Sequence, residues 1–361
     1  MGKSKDEHSY LTERRLLEIL EKFPHVQIAV VGDFFLDYYL VLDKALSEIS
    51  LETNLEAFQV VKTRKNPGAA GSVTSILRSL DVQVSTVGFT GSDGNGFDLR
   101  SGLACSGVNI DHLLIFNDRF TSIYMKPMLL DNGVEREISR MDIKNREPLD
   151  PEKEFMLIEG IRKVIPDVHA VILIDQVEER NCGVITAKVL KEVARLADTY
   201  TQKIFIGDSR FHIRDFTNII VKCNIKEASQ ALNIKGIQKD RTFTEKIGTE
   251  LFNRNGKPVI ITEGDEGIFV ISHAGGFQIP AIKVKGPIDI VGAGDGVMAS
   301  MSAALCVGAS FTEAASMGAL TASIIIQQIG TTGIATRKEV LARYREYFSN
   351  EFLVSCLPCF G

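Results

Sequence analysis

Apolar positions along this chain fall into two registers that alternate for most of its length. Short runs at residues 26–31, 168–174, 203–206 and 258–262 are apolar, rich in β-branched side chains and bounded by polar residues or glycine. Runs apolar on both faces suit parallel strands covered by helices on either side. Between them, apolar residues recur at helical spacing over 12–23, 152–164 and 181–197. Strands and helices in alternation predict a three-layer α/β/α domain with a mainly parallel sheet.

Two segments break the rhythm. Residues 40–63 and 121–142 are rich in alternating and β-branched positions without a helical period, and they predict a small β-sheet flap, or lid. A lid suits chemistry that must be kept from water. No repeat or linker divides the chain, so residues 1–361 read as one domain carrying both insertions. An isolated small sheet has an apolar face and open edges, so a homodimer joined through the lid is expected.

Composition removes several alternatives. The 361 residues are 45% hydrophobic, which allows a substantial core, and the net charge is -5 with no long basic run. Nucleic acid is therefore excluded as a partner class, since backbone binding needs clustered Lys and Arg. No apolar stretch reaches the length of a membrane span, and the polar residues 1–6 lack the apolar core of a signal peptide. The six cysteines are scattered through a chain too large to need staples, and a reducing cytoplasm is the natural setting. Cys356 and Cys359 form a C-x-x-C with no second pair, which reads as a plain tail and not a zinc site.

The segment Asp289-Ile290-Val291-Gly292-Ala293-Gly294-Asp295 carries the clearest chemistry. It follows a strand-like stretch, 277–284, and precedes a helical run, 296–306. Two glycines around an alanine let the backbone approach a ligand, and a helix starting there adds unpaired N–H donors. Gly292, Ala293 and Gly294 thus read as an anion hole, with Asp295 placed to take a proton from an attacking hydroxyl. The plainer alternative is a glycine-rich turn with Asp295 as a helix cap. The glycines of residues 88–96 match neither a P-loop nor a Rossmann fingerprint and read as a loop.

Eight ordered landmarks raise the reading above a single motif: V-V-G-D-F-F-L-D (30–37), N-P-G-A-A (66–70), V-G-F-T-G-S-D-G-N-G (87–96), E-I-S-R-M-D (137–142), N-I-K-E (224–227), I-T-E-G-D-E-G (261–267), G-A-G-D (292–295) and I-G-T-T-G (329–333). With these the chain resembles the ribokinase-like (PfkB) carbohydrate kinases over nearly its whole length. Within them it is most similar to the kinase module of the D-glycero-β-D-manno-heptose-7-phosphate kinases. The resemblance implies a ribokinase-like fold and ATP-dependent phosphoryl transfer to a sugar or sugar-phosphate hydroxyl.

It also implies roles. Asp37 takes the place of the family's sugar-binding aspartate, Asp33 is a second candidate with a turn-forming role as its alternative, and Gly68 lies in the substrate turn. Asn224 and Glu227 match an N-x-x-E that positions Mg²⁺ and phosphate, usually through water, with helix capping as the alternative. Thr262, Gly264 and Gly267 border the nucleotide. Lys126 and Arg140 of the lid would meet a phosphate already on the substrate, unless they are simply solvated. Carbonyls near Asp289 and residues 329–333 would hold a monovalent cation such as K⁺.

The chain also departs from the pattern. The usual G-G-x-x-N has Pro67 at its first glycine and Gly71 at its asparagine, D-Y-x-K-G becomes Asp175-Gln176-Val177-Glu178-Glu179, Ala319 replaces an asparagine, and Ile290 stands where threonine is usual. The phosphate-handling half is kept while the sugar-reading half is altered. Another acceptor, such as a nucleoside or hexose phosphate, or a catalytically silent sugar or nucleotide sensor, are the rival expectations. The nucleotidyltransferase module fused to some heptose kinases is expected to be absent.

Overall fold

A computed structural model describes residues 11–238 and 240–355, with the side chains of 348–355 left aside. The expectations placed on residues 1–6 and on Cys356 and Cys359 lie outside the described residues. The strands are β1 Gln27–Gly32, β2 Phe34–Ile49, β3 Glu56–Ala69, β4 Gln83–Gly91, β5 Asn109–Phe116, β6 Ile123–Asp131, β7 Val134–Glu137, β8 Met141–Ile143, β9 Ala170–Asp175, β10 Ile204–Ser209, β11 Ile220–Asn224, β12 Val259–Thr262, β13 Ile268–Ser272 and β14 Gly275–Ile279. The α-helices are α1 Glu13–Lys22, α2 Ala70–Ser79, α3 Gly94–Cys105, α4 Pro151–Val164, α5 Ala187–Thr199, α6 Ile225–Ala231, α7 Arg241–Asn255, α8 Ala293–Cys306, α9 Phe311–Ile325 and α10 Arg337–Ser355.

Among the described residues nine strands form the main sheet, in the order β14-β13-β12-β11-β10-β9-β1-β4-β5. The pairings from β12 through β5 are parallel, and β13 and β14 close one edge antiparallel. Alternation along each strand feeds two cores. Ile28, Val30 and Ile172 face a core with Leu16, Ile76, Met298 and Leu320. Val31, Leu173 and Val221 face the other, with Leu157, Val193 and Ile247. Helices α1, α2, α8, α9 and α10 therefore cover one face and α4 to α7 the opposite face. The order reverses at β1, whose neighbours are β9 and β4, and ligands of open α/β sheets bind outside the carboxyl ends at such a reversal.

A separate five-stranded sheet runs β3-β2-β6-β7, with β8 paired to β6. This is the lid, and it reaches further into the chain than the lost helical period implied. β2 begins at Phe34 and β3 ends at Ala69, so Asp37 and Gly68 sit on lid strands and not in loops after β1. β2 runs on from β1 with a single residue between them, so the lid grows directly out of the sheet's carboxyl end.

Two expectations on element bounds need correction. The helix foreseen over 181–197 starts only at Ala187, because Val184 N–H is drawn to Asp33 Oδ1 and Ala187 N–H to Asn181 Oδ1. The strand foreseen over 277–284 ends at Ile279, and Pro280, with no N–H to donate, cannot extend the ladder.

Candidate active site

The anion segment takes its shape from Asp289 and Gly292. Asp289 Oδ1 accepts the N–H of Val291 at 3.0 Å, and Oδ2 accepts that of Gly330 at 3.3 Å, tying the segment to the loop at residues 329–333. Gly292 has φ 82°, a left-handed conformation that glycine enters without a Cβ penalty, and α8 begins at the next residue. Ala293 N–H turns back to Ile290 O at 3.2 Å. Gly294 and Asp295 follow in the first turn, where N–H groups have no acceptor within the helix.

Charged groups converge on that turn. Lys222, the third residue of β11, is buried and pairs with Asp208 of β10. A Cβ on Gly294 would lie 2.9 Å from Lys222 Nζ, so the ammonium stands directly over the anion segment. Asp208 and Glu227 hold the Lys222 ammonium firmly charged against the cost of burial. Asp295 is pushed up to about 6, first by burial and then by Asp208, while Lys222 and Arg210 oppose the rise. Neither Lys222, Asp208 nor Arg210 was singled out from the sequence. The signal that would have found Lys222 and Asp208 is a charged residue inside an otherwise apolar strand.

Asn224 and Glu227 form a reciprocal capping box at the start of α6. Asn224 Oδ1 accepts from Lys226 N and Glu227 N at 2.9 and 3.0 Å, and Glu227 Oε2 accepts from Asn224 N at 2.7 Å. The capping alternative is thus realised, and the carboxylate has a second feature. Burial and Asp208 push Glu227 up to about 7, so two carboxylates press on each other beside Lys222. That pair fits a hard cation which brings its own waters and phosphate oxygens, since among the described residues no group of three or more His, Cys, Asp or Glu could hold a metal alone.

Thr262 ends β12 with its hydroxyl 3.4 Å from Cys223 O. Gly267, at φ 101°, is required by space as well, because a Cβ there would lie 2.1 Å from Ile279 O. Nothing lies within 4 Å of a Cβ placed on Gly264, so that side of the turn is open to a ligand. Residues 88–96, read from the sequence as a loop, instead run from the end of β4 into α3 with Ser92 and Asp93 between them. Asp93 caps α3 through Gly96 N–H at 2.8 Å and accepts Thr121 N–H at 2.9 Å, which fixes this turn against the approach to β6.

The lid supplies the other half. Asp37 is buried and lies 3.3 Å from Lys126 Nζ, which also donates to Tyr39 OH at 3.3 Å. Burial raises the Asp37 carboxyl, and Lys126 holds the rise in check. A Cβ on Gly68 would come within 2.9 Å of Asp37 Oδ2, so glycine there leaves the carboxylate its space. Arg140 pairs with Asp142 at 2.8 and 3.0 Å and stacks 4.8 Å over the Tyr124 ring.

Asp33 stands apart from these groups. Its Oδ2 accepts Gln176 N–H at 2.8 Å and Val177 N–H at 3.2 Å, and its Oδ1 accepts Val184 N–H at 2.7 Å. The turn-forming alternative describes these contacts: Asp33 anchors the loop between β9 and α5. Gln176 of that loop donates to Tyr124 OH at 3.2 Å, so the anchored loop braces the lid.

The departures at Pro67 and Gly71 are one structural change. A Cβ on Gly71 would lie 2.5 Å from Pro67 Cβ, so a side chain at 71 and a proline at 67 exclude each other.

A parallel sheet with a lid at its carboxyl end, and a helix N-terminus, an ammonium and a carboxylate brought together beside it, fits a phosphotransferase with a hydroxyl acceptor. The family model described as "pfkB family carbohydrate kinase" matches residues 27–337, and the chain belongs to that family. Among curated relatives it is 27% identical over 315 residues to the Bifunctional protein HldE of Desulfatibacillum aliphaticivorans, covering 86% of this chain and 62% of the relative. The corresponding protein of Trichlorobacter lovleyi is 27% identical over 335 residues, covering 91% and 65%. The chain therefore spans less than two thirds of these relatives' length. The fold matches Escherichia coli phosphofructokinase-2 in complex with fructose-6-phosphate at a TM-score of 0.70, with 19% identity over 90% of this chain and 99% of that one. It matches Arabidopsis thaliana ribokinase complexed with ribose and ATP at 0.67, with 19% identity over 88% and 98%. Among the described residues no helix is long and apolar enough to cross a membrane.

Proposed function

We propose that this chain transfers the γ-phosphoryl group of ATP to a hydroxyl of a sugar or sugar phosphate, heptose 7-phosphate among them. The observation that carries the reading is Asp295 at the first turn of α8, beside Gly294 and under Lys222. The acceptor lies over the lid face bearing Asp37, Gly68 and Lys126. Asp295 takes the proton as the hydroxyl oxygen bonds to the γ-phosphorus and the bond to ADP breaks. The Gly294 and Asp295 amides and the Lys222 ammonium meet charge on the transferred group, which is where fixed donors lower a barrier most.

Mg²⁺ bound beside Asp208 and Glu227 would neutralise charge on the ATP phosphates. Asn224 holds Glu227 in orientation there, while Thr262, Gly264 and Gly267 border the nucleotide. The carbonyls near Asp289 and residues 329–333 are the place for K⁺. The HldE relatives support a phosphorylated heptose as acceptor, and Lys126 and Arg140 are the cations that would meet its phosphate.

A homodimer through the lid accords with the exposed Ile49, Phe58, Val60 and Val61 of β2 and β3, and a cytoplasmic setting with the thiols of Cys105, Cys182, Cys223 and Cys306. Light scattering that returned a monomer would remove the dimer. The central test is Asp295→Asn: turnover should fall by orders of magnitude with ATP affinity nearly unchanged, and equal activity would overturn the assignment.

A further inference from the structure

Pro67 and Gly71 meet where β3 runs into α2, and a Cβ on Gly71 would come 2.5 Å from Pro67 Cβ. The obstructing atom is a Cβ, which the backbone fixes in every residue but glycine, so it cannot swing away. With proline at 67, position 71 admits glycine alone. Pro67 is accommodated because β3 is the lid's edge strand. Its cross-strand partner Leu36 donates its N–H to Ser122 O on the other side, so the missing proline N–H would have pointed outward.

The consequence falls on the acceptor site. Positions 69 to 71 are Ala69, Ala70 and Gly71, and Ser72 Oγ turns back to Pro67 O at 3.4 Å. The start of α2 therefore presents no free polar side chain to a molecule lying over Asp37. The lid does. Asn66 is the cross-strand partner of Asp37, and directly opposed residues project from the same face of a sheet. Its Nδ2 donates to Thr331 Oγ1 at 3.4 Å, in the loop held by Asp289 through Gly330. Among the described residues that one long contact leaves the amide oxygen and the second N–H for a ligand.

We propose that Asn66 is a specificity-determining residue of the acceptor site. With Asp37 it reads two neighbouring hydroxyls of a sugar or sugar phosphate, from a lid strand, because Pro67 and Gly71 leave the start of α2 without a free polar side chain. The inference rests on the sugar-kinase reading above.

Two measurements test it. The first needs no activity: thermal unfolding of Gly71→Ala, Pro67→Gly and the double variant. Alanine in place of a helical glycine should lower Tm by several degrees beside Pro67 and be neutral or stabilising once Pro67 is glycine, because helix propensity then prevails. Additive effects would overturn the coupling. The second titrates D-ribose, D-fructose 6-phosphate and heptose 7-phosphate into wild type, Asn66→Ala and Asn66→Asp by calorimetry without ATP, alongside kinetics. Asn66→Ala should weaken the best-bound acceptor at least tenfold, with the ATP KM and Tm little changed and part of the loss recovered in Asn66→Asp. Unchanged acceptor binding in Asn66→Ala, or no binding of any of the three to wild type, would overturn the proposal. Binding that depends on Asn66 but yields no ADP would leave it standing and sink the kinase reading instead.

Discussion

The ammonium of Lys222 stands 2.9 Å from the point where a side chain on Gly294 would begin. Lysine and glycine, from β11 and α8, thus share one small volume at the anion segment. Gly294→Ala should push the ammonium aside and lower kcat at least tenfold without unfolding the chain. Lys222→Met should do more damage, because it leaves Asp208 without its cation and removes a charge from the site. Steady-state kinetics with Tm as a control checks both, and a wild-type kcat in Gly294→Ala would refute the arrangement.

Asp295, held at about 6, sets a pH limit on turnover. A base must be ionised to work, so kcat/KM should fall about tenfold per pH unit below 6 and level off above it. A pH–rate profile flat from 5 to 8 would exclude Asp295 as the base.

The same shift has a stability sign. The folded state favours the protonated acid, so the stability it lends is present below the ordinary carboxylate range and lost as pH rises through about 6. Asp295→Asn should therefore raise Tm by a few degrees at pH 7.5, and the gain should vanish towards pH 4. Thermal melts at the two pH values decide it.

Asp33 accepts three backbone N–H groups with two oxygens. In Asp33→Asn one side-chain NH₂ must face a backbone N–H, which leaves a buried donor unsatisfied at a cost of about 1–3 kcal/mol. The cost is offset in part at neutral pH, because burial and Asp175 already push the Asp33 carboxyl up to about 7. Urea unfolding should show that loss, and limited proteolysis should open the chain between residues 176 and 186. Wild-type protection there would deny Asp33 its anchoring role.

Lys126 separates two kinds of acceptor. If it meets a phosphate already on the sugar, Lys126→Met should raise KM far more for D-fructose 6-phosphate than for D-ribose. An equal rise for both would confine Lys126 to holding Asp37, which it approaches to 3.3 Å.

Local pattern was enough for what depends on neighbours in the chain. Continuous apolar runs predicted the parallel strands, loss of helical period predicted the lid, and Gly292 to Gly294 before a helical run predicted a helix start at the anion segment. These are properties of a few adjacent residues, and a period of two or 3.6 records them directly. The order of landmarks, from the aspartates near β1 to the G-A-G-D segment, was enough for the family.

What the tertiary structure alone decided are meetings between distant segments. Lys222 reaches Gly294 across 72 positions, Asp33 anchors a loop some 150 residues downstream, and Asn66 reaches Thr331 across 265. Even Pro67 and Gly71, four residues apart, looked like separate losses until the β3–α2 junction placed their Cβ positions 2.5 Å apart. A linear pattern carries no coordinate for such encounters, because the sheet order and lid register that create them are fixed only when the whole core closes.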